Sequence, residues 1–419
     1  MVNRVLSIYV LFTIVVISSL FFLYLIYKKN GFHSIYFFYY SLFSAFFLLR
    51  SFALFSGLDT PFPEDLLGKV VPEESFFIGL IGYYIWSISF FLFTLSLNSK
   101  ATTYGCCNQV RDERLLDFSI FLGVLLSIVY ILSAILNAGS VAKVIYYLRI
   151  DSEFKFGFMS SIPAITLMLI AAQCSIWGVN AKKILLITFL IIIQVVAGDR
   201  SGIIFSLVVF IVVKFSLGGM SKLKVALMLP LVFVLASALK YYRSMYQLNI
   251  EQESITMIRS ISSSLNLNIY DAYYSVIGFV NHGLEFRYGY DFYLGVVGLI
   301  PRFLWEGKPE VVNTGVWFAQ LFSERKMGTP ISSIGEWYLN FGFFGFLLGA
   351  IITFFYLKIA ESIMPKSKEL RAALSLIFVL QVVQSGFSNT SLRETLLFII
   401  LVVLPVFMYK KLTHIRGLN

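Results

Sequence analysis

Residues 5–27 read VLSIYVLFTIVVISSLFFLYLIY. About 20 apolar residues cross a hydrocarbon core about 30 Å thick, so this run predicts a spanning helix. It is too long for the apolar region of a signal peptide, and no small-x-small cleavage site follows it. Working outward, ten further runs share its character: Ile35–Phe55, Phe76–Leu97, Leu116–Leu136, Ser161–Val179, Ile184–Gly198, Gly202–Leu217, Val225–Leu239, Trp337–Leu357, Ala372–Phe387 and Thr395–Tyr409. The expected fold is therefore an all-α polytopic integral membrane protein with about 11 transmembrane helices. Its expected parts are an eight-helix bundle over 1–239, a large loop over 240–336 and a three-helix region over 337–419.

Composition agrees with this reading. Of 419 residues 58% are apolar and 13% charged, with a mean hydropathy of +0.82. Soluble domains carry about 45–50% and about 25%, so a single water-exposed core is excluded. Aromatic residues reach 17%, with 43 Phe and 24 Tyr, and much of that surplus is expected at lipid or at headgroup belts. The 33 Lys and Arg are scattered between apolar runs rather than gathered on one module, which argues against nucleic acid. Cys106 and Cys107 are adjacent and Cys174 lies in an apolar run, a pattern that gives no disulfide framework.

Alternate loops carry Lys28 and Lys29; Lys100, Arg111 and Arg114; Lys182 and Lys183; Lys214, Lys222 and Lys224; Lys358, Lys366, Lys368 and Arg371; and Lys410, Lys411 and Arg416. The positive-inside rule puts these in the cytoplasm, the amino terminus outside and the carboxyl terminus inside. The remaining cations are mostly Arg. A guanidinium offers a planar fork that matches phosphate oxygens in pairs, so an anionic ligand is expected at the outer face.

Three outer stretches carry the candidate chemistry. The turn Gly198-Asp199-Arg200-Ser201-Gly202 joins two short runs and is expected in a water-accessible depression below the surface. Arg200 either pairs with Asp199 or meets a ligand. The long segment 240–336 carries Arg243, Arg259, Arg287, Arg302, Lys308, Arg325 and Lys326 among many Tyr and Trp residues, including Tyr270, Tyr274, Tyr290, Trp305 and Trp317. Such rings suit sugar C–H faces, and they equally suit a headgroup belt. The runs Tyr270–Phe279 and Phe292–Ile300 are too short to span and read as interfacial or re-entrant helices. Within the phrase Pro301–Pro309, two prolines and a glycine fix an irregular backbone around Arg302 and Lys308, aiming both cations at one anion. Glu336 opens the next span, where it either caps the helix or, desolvated beside a cavity, acts as a general base. His282 is the alternative base. Arg393 lies on the turn before the last run, beside Glu394. Gly342, Gly345 and Gly349 form a small-residue stripe suited to close helix packing. The sequence has no Walker loop, no dinucleotide fingerprint, no H-E-x-x-H and no metal-spaced Cys/His cluster, so an activated donor already in the membrane is expected.

The chain resembles the Wzy-type polymerases of O-antigen and other bacterial oligosaccharide repeat units. The resemblance is architectural over nearly the whole length. Locally it rests on the Gly198–Gly202 turn, the Pro301–Pro309 phrase and the stretch Gly335-Glu336-Trp337-Tyr338 to Gly342. It implies a GT-C-like inner-membrane glycosyltransferase with no cofactor and no metal. Its donor and acceptor would be undecaprenyl diphosphate-linked oligosaccharides at the periplasmic face, with a chain-length regulator as a possible protein partner. On that reading Arg200, Arg243, Arg259, Arg302, Lys308 and Arg393 hold the diphosphate, Glu336 or His282 is the base, and Tyr270, Tyr274, Trp305, Trp337 and Tyr338 hold sugar. An O-antigen ligase and a lipid-linked oligosaccharide flippase are the alternatives.

Overall fold

The computed structural model describes residues 2–58, 73–96, 109–139, 159, 161–197, 201–228, 231–232, 234, 267, 269–300, 305–309, 314–321, 331–365, 367–383 and 396–405. Among these there is no strand. Twelve helices are followed here: α1 (Val2–Asn30), α2 (Ile35–Phe55), α3 (Glu73–Ser96), α4 (Gln109–Ala138), α5 (Ile162–Trp177), α6 (Ala181–Ala197), α7 (Ser201–Ser216), α8 (Ile269–Asn281), α9 (Tyr290–Leu299), α10 (Thr314–Gln320), α11 (Ser333–Ile363) and α12 (Lys368–Val383). Among the described residues five segments are long and apolar enough to cross a bilayer: Ser7–Asn30, Ile35–Phe55, Glu74–Ser96, Glu113–Ala138 and Ser333–Ile363. On α1 the residues Val10, Ile14, Ile17, Phe21 and Tyr24 are exposed at helical spacing. A continuous apolar stripe of that kind faces lipid. The protein is a membrane-embedded helical protein.

The helices α5, α6 and α7, with 16, 17 and 16 residues, reach only about 24–26 Å at 1.5 Å per residue. Of the expected span Val225–Leu239 the described residues cover only 225–228, 231–232 and 234, and of Thr395–Tyr409 they cover 396–405.

Two compact units cut across the linear division into bundle, loop and carboxyl-terminal region. The first comprises Met1–Thr102, Glu251–Ser362 and Val379–Arg393, and the second Thr103–Ile250, Ile363–Phe378 and Glu394–Asn419. In the second unit α5 is the central helix, buried along nearly its whole length and packed by α4, α6 and α7. Lys183 and Lys214 both donate to carbonyls at its carboxyl end, at Gly178 and Ser175. Cations there complement the helix dipole.

In the first unit α1 packs on α2 and α3, and α8 packs on α3 and α2. Ten consecutive residues of α8, Ile269 to Gly278, are buried. A helix buried all round belongs inside a bundle, so of the expected alternatives, interfacial or re-entrant, the burial of α8 disfavours an interfacial placement. Its one anion is matched. Asp271 takes Nε and Nη2 of Arg50 on its two carboxylate oxygens, each at 2.6 Å, with both residues at 1% exposure. Ser51 and Tyr274 hydroxyls lie 2.6 Å apart, and the Tyr273 hydroxyl donates to the Gly79 carbonyl at 2.9 Å. Around these bonds the rings interlock. Phe47 stacks parallel on Tyr83 at 4.1 Å and meets Tyr270 edge-on at 5.5 Å. The aromatic surplus is thus partly core material. Between lipid-surrounded helices there is little hydrophobic drive, and dense ring packing supplies dispersion instead.

Two ends of the first unit are distinguishable by contact. Tyr9 near the start of α1 donates to Phe55 at the end of α2, while Lys29 at the end of α1 donates to Leu95 at the end of α3. Arg50, Gly79 and α8 belong to the Tyr9 end, away from Lys28 and Lys29.

Breaking the Arg50–Asp271 pair from one side leaves a buried charge uncompensated, which typically costs about 3–5 kcal/mol. Arg50→Met and Asp271→Leu are each expected to lower the thermal unfolding midpoint in detergent sharply. The double variant is expected to recover part of the loss, because each charge of this pair is removed together with its counterion.

Candidate functional site

The site grows from a broken helix. Inside α11, Gly342 adopts φ 58° and ψ −142°, a conformation that a residue with a Cβ rarely takes. The chain turns back there. A Cβ at Gly345 would run into the carbonyl oxygen of Trp337, and one at Gly349 into the rings of Trp86 and Trp337. Residues eight and twelve apart would be far separated on a straight helix. The stretch Ser333–Phe341 is therefore a half-helix folded against the part after Gly342, and the glycine stripe makes room both for that fold and, at Gly349, for Trp86 of α3. The break thus falls within the expected span Trp337–Leu357.

A helix break frees carbonyls, and in a membrane these need partners. Leu339 and Asn340 carbonyls accept the backbone N–H groups of Arg287 and Tyr288 at 3.1 and 3.2 Å. The next amide, Gly289, donates to the side-chain Oδ1 of Asn340 at 2.9 Å. Three successive amides thus strap residues 287–289 to the break. Tyr288 is held at φ 49° by this strap.

Asn340 is fully buried. Its Nδ2 donates to Asp291 Oδ2 and to the Glu336 carbonyl, each at 2.9 Å. Asp291 sits in the first turn of α9, where the helix dipole favours a carboxylate. It accepts Nε of Arg287 on both oxygens at 2.9 and 3.0 Å. The Arg287 guanidinium lies 3.8 Å from the ring centre of Trp317 and 5.2 Å from that of Tyr290. Gly283, Leu284, Glu285, Phe286, Arg287, Tyr290 and Trp317 line an open cleft of about 600 Å³.

Helix α10 carries Trp317 on the cleft and, three residues earlier, Thr314, whose hydroxyl donates to Glu336 Oε1 at 3.2 Å. Residues three apart share one helix face. The same short helix therefore forms a wall of the cleft and a cover over Glu336, which is 2% exposed.

The sequence candidates divide accordingly. Glu336 stands in the half-helix beneath Thr314. His282 is exposed at the end of α8, with Nδ1 2.7 Å from the Gly278 carbonyl of its own helix. Lys308 reaches the carbonyls of Ile300 and Gly298 at 2.6 and 3.3 Å, so it caps the carboxyl end of α9 instead of aiming at an outside anion. Trp305 is exposed in the turn before it. Tyr270, Tyr274, Trp337 and Tyr338 are buried in the first unit, and their faces meet other protein rings rather than open water. Burial pushes the phenols of Tyr270, Tyr273 and Tyr274 well up, so all three stay neutral. Arg200, Arg243, Arg259, Arg302 and Arg393 lie outside the described residues. Within the segment the sequence marked, the arrangement of Arg287, Tyr290, Trp317, Thr314 and Asp291 is not legible from sequence, nor is that of Asn340 just beyond it. The Arg287–Asp291 spacing of four, with Gly289 between, was the available signal.

No protein-family model matches the sequence, and no curated protein and no solved structure is detectably similar to it.

Asn340→Ala leaves the Gly289 amide and the Asp291 carboxylate each short of a partner. Leaving such buried groups unsatisfied costs about 1–3 kcal/mol each. The expected result is a lower unfolding midpoint together with faster hydrogen exchange at residues 287–289, while amides of α2 and α3 keep their protection.

Proposed function

We propose that this protein is a membrane glycosyltransferase that joins undecaprenyl diphosphate-linked oligosaccharide repeat units, in the manner of the Wzy-type polymerases whose architecture its hydropathy pattern resembles. The proposal includes eleven spans, a GT-C-like arrangement, an outward amino terminus and action at the periplasmic face of a bacterial inner membrane. The observation that carries it is the pairing, through α10, of an aromatic and guanidinium cleft with a buried carboxylate. This site belongs to the end of the first unit away from Lys28 and Lys29. The positive-inside rule assigns those lysines to the cytoplasm, which supports a periplasmic site.

The chemistry follows from this chain's groups. An acceptor sugar hydroxyl replaces the Thr314 hydroxyl at Glu336. Glu336 takes the proton as the acceptor oxygen bonds to the anomeric carbon, and the bond from that carbon to the lipid diphosphate breaks. The charge left on the diphosphate calls for guanidinium groups aimed in advance, a role for Arg200, Arg243, Arg259, Arg302 and Arg393. Lys308 is engaged with α9 and is not among them.

The test uses the purified protein in nanodiscs with a single undecaprenyl diphosphate-linked repeat unit. Polymer ladders and release of undecaprenyl diphosphate are expected. Glu336→Gln is expected to slow both by about 10²–10⁴-fold, the range for loss of a general base, with its unfolding midpoint retained. Release that requires added lipid A core would make the protein a ligase. Transfer of the intact lipid-linked glycan across the bilayer without release would make it a flippase.

A further inference from the structure

The cleft beside Arg287 carries more than a positive charge. The guanidinium is held edge and face. Its Nε edge is fixed by Asp291, its faces meet Trp317 and Tyr290, and its side chain is only 13% exposed. Among the described residues nothing hydrogen-bonds to its two terminal nitrogens, so their N–H donors remain for a ligand at the cleft. Because Asp291 is itself held by Asn340, this donor pair is fixed before any ligand arrives, and little side-chain freedom is lost on binding.

Two further groups complete the site. Glu285 is exposed on the cleft lining and, as a carboxylate, can only accept hydrogen bonds when ionised. Tyr290 is 49% exposed, so part of its ring is open for apolar contact. The cleft volume of about 600 Å³ falls within the about 300–1,000 Å³ usual for small-ligand sites.

The charge balance then selects the ligand. Asp291 already pairs with the guanidinium from behind the lining, and Glu285 adds a carboxylate on the lining itself, so the cleft offers no net positive charge. A ligand carboxylate or phosphate would gain from Arg287 but compete with Asp291 for it and meet the like charge of Glu285. A ring with adjacent hydroxyls uses everything present: its oxygens accept from Arg287, a hydroxyl donates to Glu285, and its C–H face lies on Tyr290. We infer that this cleft is a saccharide subsite for an uncharged sugar unit and that it disfavours acidic sugars. This inference builds on the glycosyltransferase reading by naming the sugar class that the cleft holds.

The test measures binding of free trisaccharides to the full chain in nanodiscs by saturation-transfer NMR. The probes are maltotriose, cellotriose and mannotriose as neutral ligands and trigalacturonate as the acidic one. At least one neutral trisaccharide is expected to bind, with trigalacturonate on the order of tenfold weaker or worse. Tyr290→Ala and Glu285→Gln are each expected to weaken neutral binding on the order of tenfold. Glu285 is exposed, so its replacement leaves folding intact, and Glu285→Gln should strengthen trigalacturonate binding. Preference for trigalacturonate, neutral binding unaltered in both variants, or no binding of any neutral probe overturns the inference. Neutral binding without any release of undecaprenyl diphosphate in the turnover assay keeps the subsite and rejects the polymerase. Release with unaltered turnover and binding in both cleft variants does the reverse.

Discussion

A peptide carbonyl freed inside a membrane protein has no water to turn to, and the bend at Gly342 frees two of them. The strap of residues 287–289 satisfies Leu339 and Asn340, and in doing so sets where Arg287 and α9 begin. Asn340 serves the break three times over, through Gly289, Asp291 and the Glu336 carbonyl. The cleft is therefore a product of backbone satisfaction at one glycine. Its side chains are fixed because the main chain beneath them has no other way to pair.

The second constraint lies deeper in the same unit. Burying α8 on all sides brings Asp271 out of water, and the bidentate contact with Arg50 offsets the cost of that burial. With α8 seated, Gly335 lies against the Tyr273 backbone, where a Cβ would stand 3.2 Å from its Cα. The half-helix that bears Glu336 thus rests on α8, and α8 rests on the ion pair.

Much of the fold was legible in sequence because hydropathy and length are local properties. The runs Ile35–Phe55 and Leu116–Leu136 appear as long apolar helices, and the short runs near residues 270–300 appear as short helices. What escaped was whatever depends on distant partners. Arg50 stood alone in an apolar run and Asp271 alone in another, and nothing local says that they meet. The glycines at 342, 345 and 349 have the spacing of a packing stripe, and spacing alone does not distinguish a neighbouring helix from a chain doubling back on itself. At the site, Glu336 is conspicuous as a carboxylate at a helix start, and the structure adds its contact with Thr314. The contacts of Lys308 with the end of the preceding helix are not legible locally. Nor is the burial of Tyr270 and Tyr274, which have the composition of a sugar platform and the surroundings of a core.

The ion pair has a consequence for biosynthesis. Its partners are 221 positions apart in the chain, and synthesis proceeds at about 5–20 residues per second. Arg50 therefore emerges roughly 10–40 s before Asp271 exists. During that interval the second helix holds Arg50 without Asp271, and a nascent chain accommodates a guanidinium by reaching for headgroups or water. The packing of α8 on α2 and α3 can form only once the later segment has been made, so this part of the first unit is completed late in synthesis.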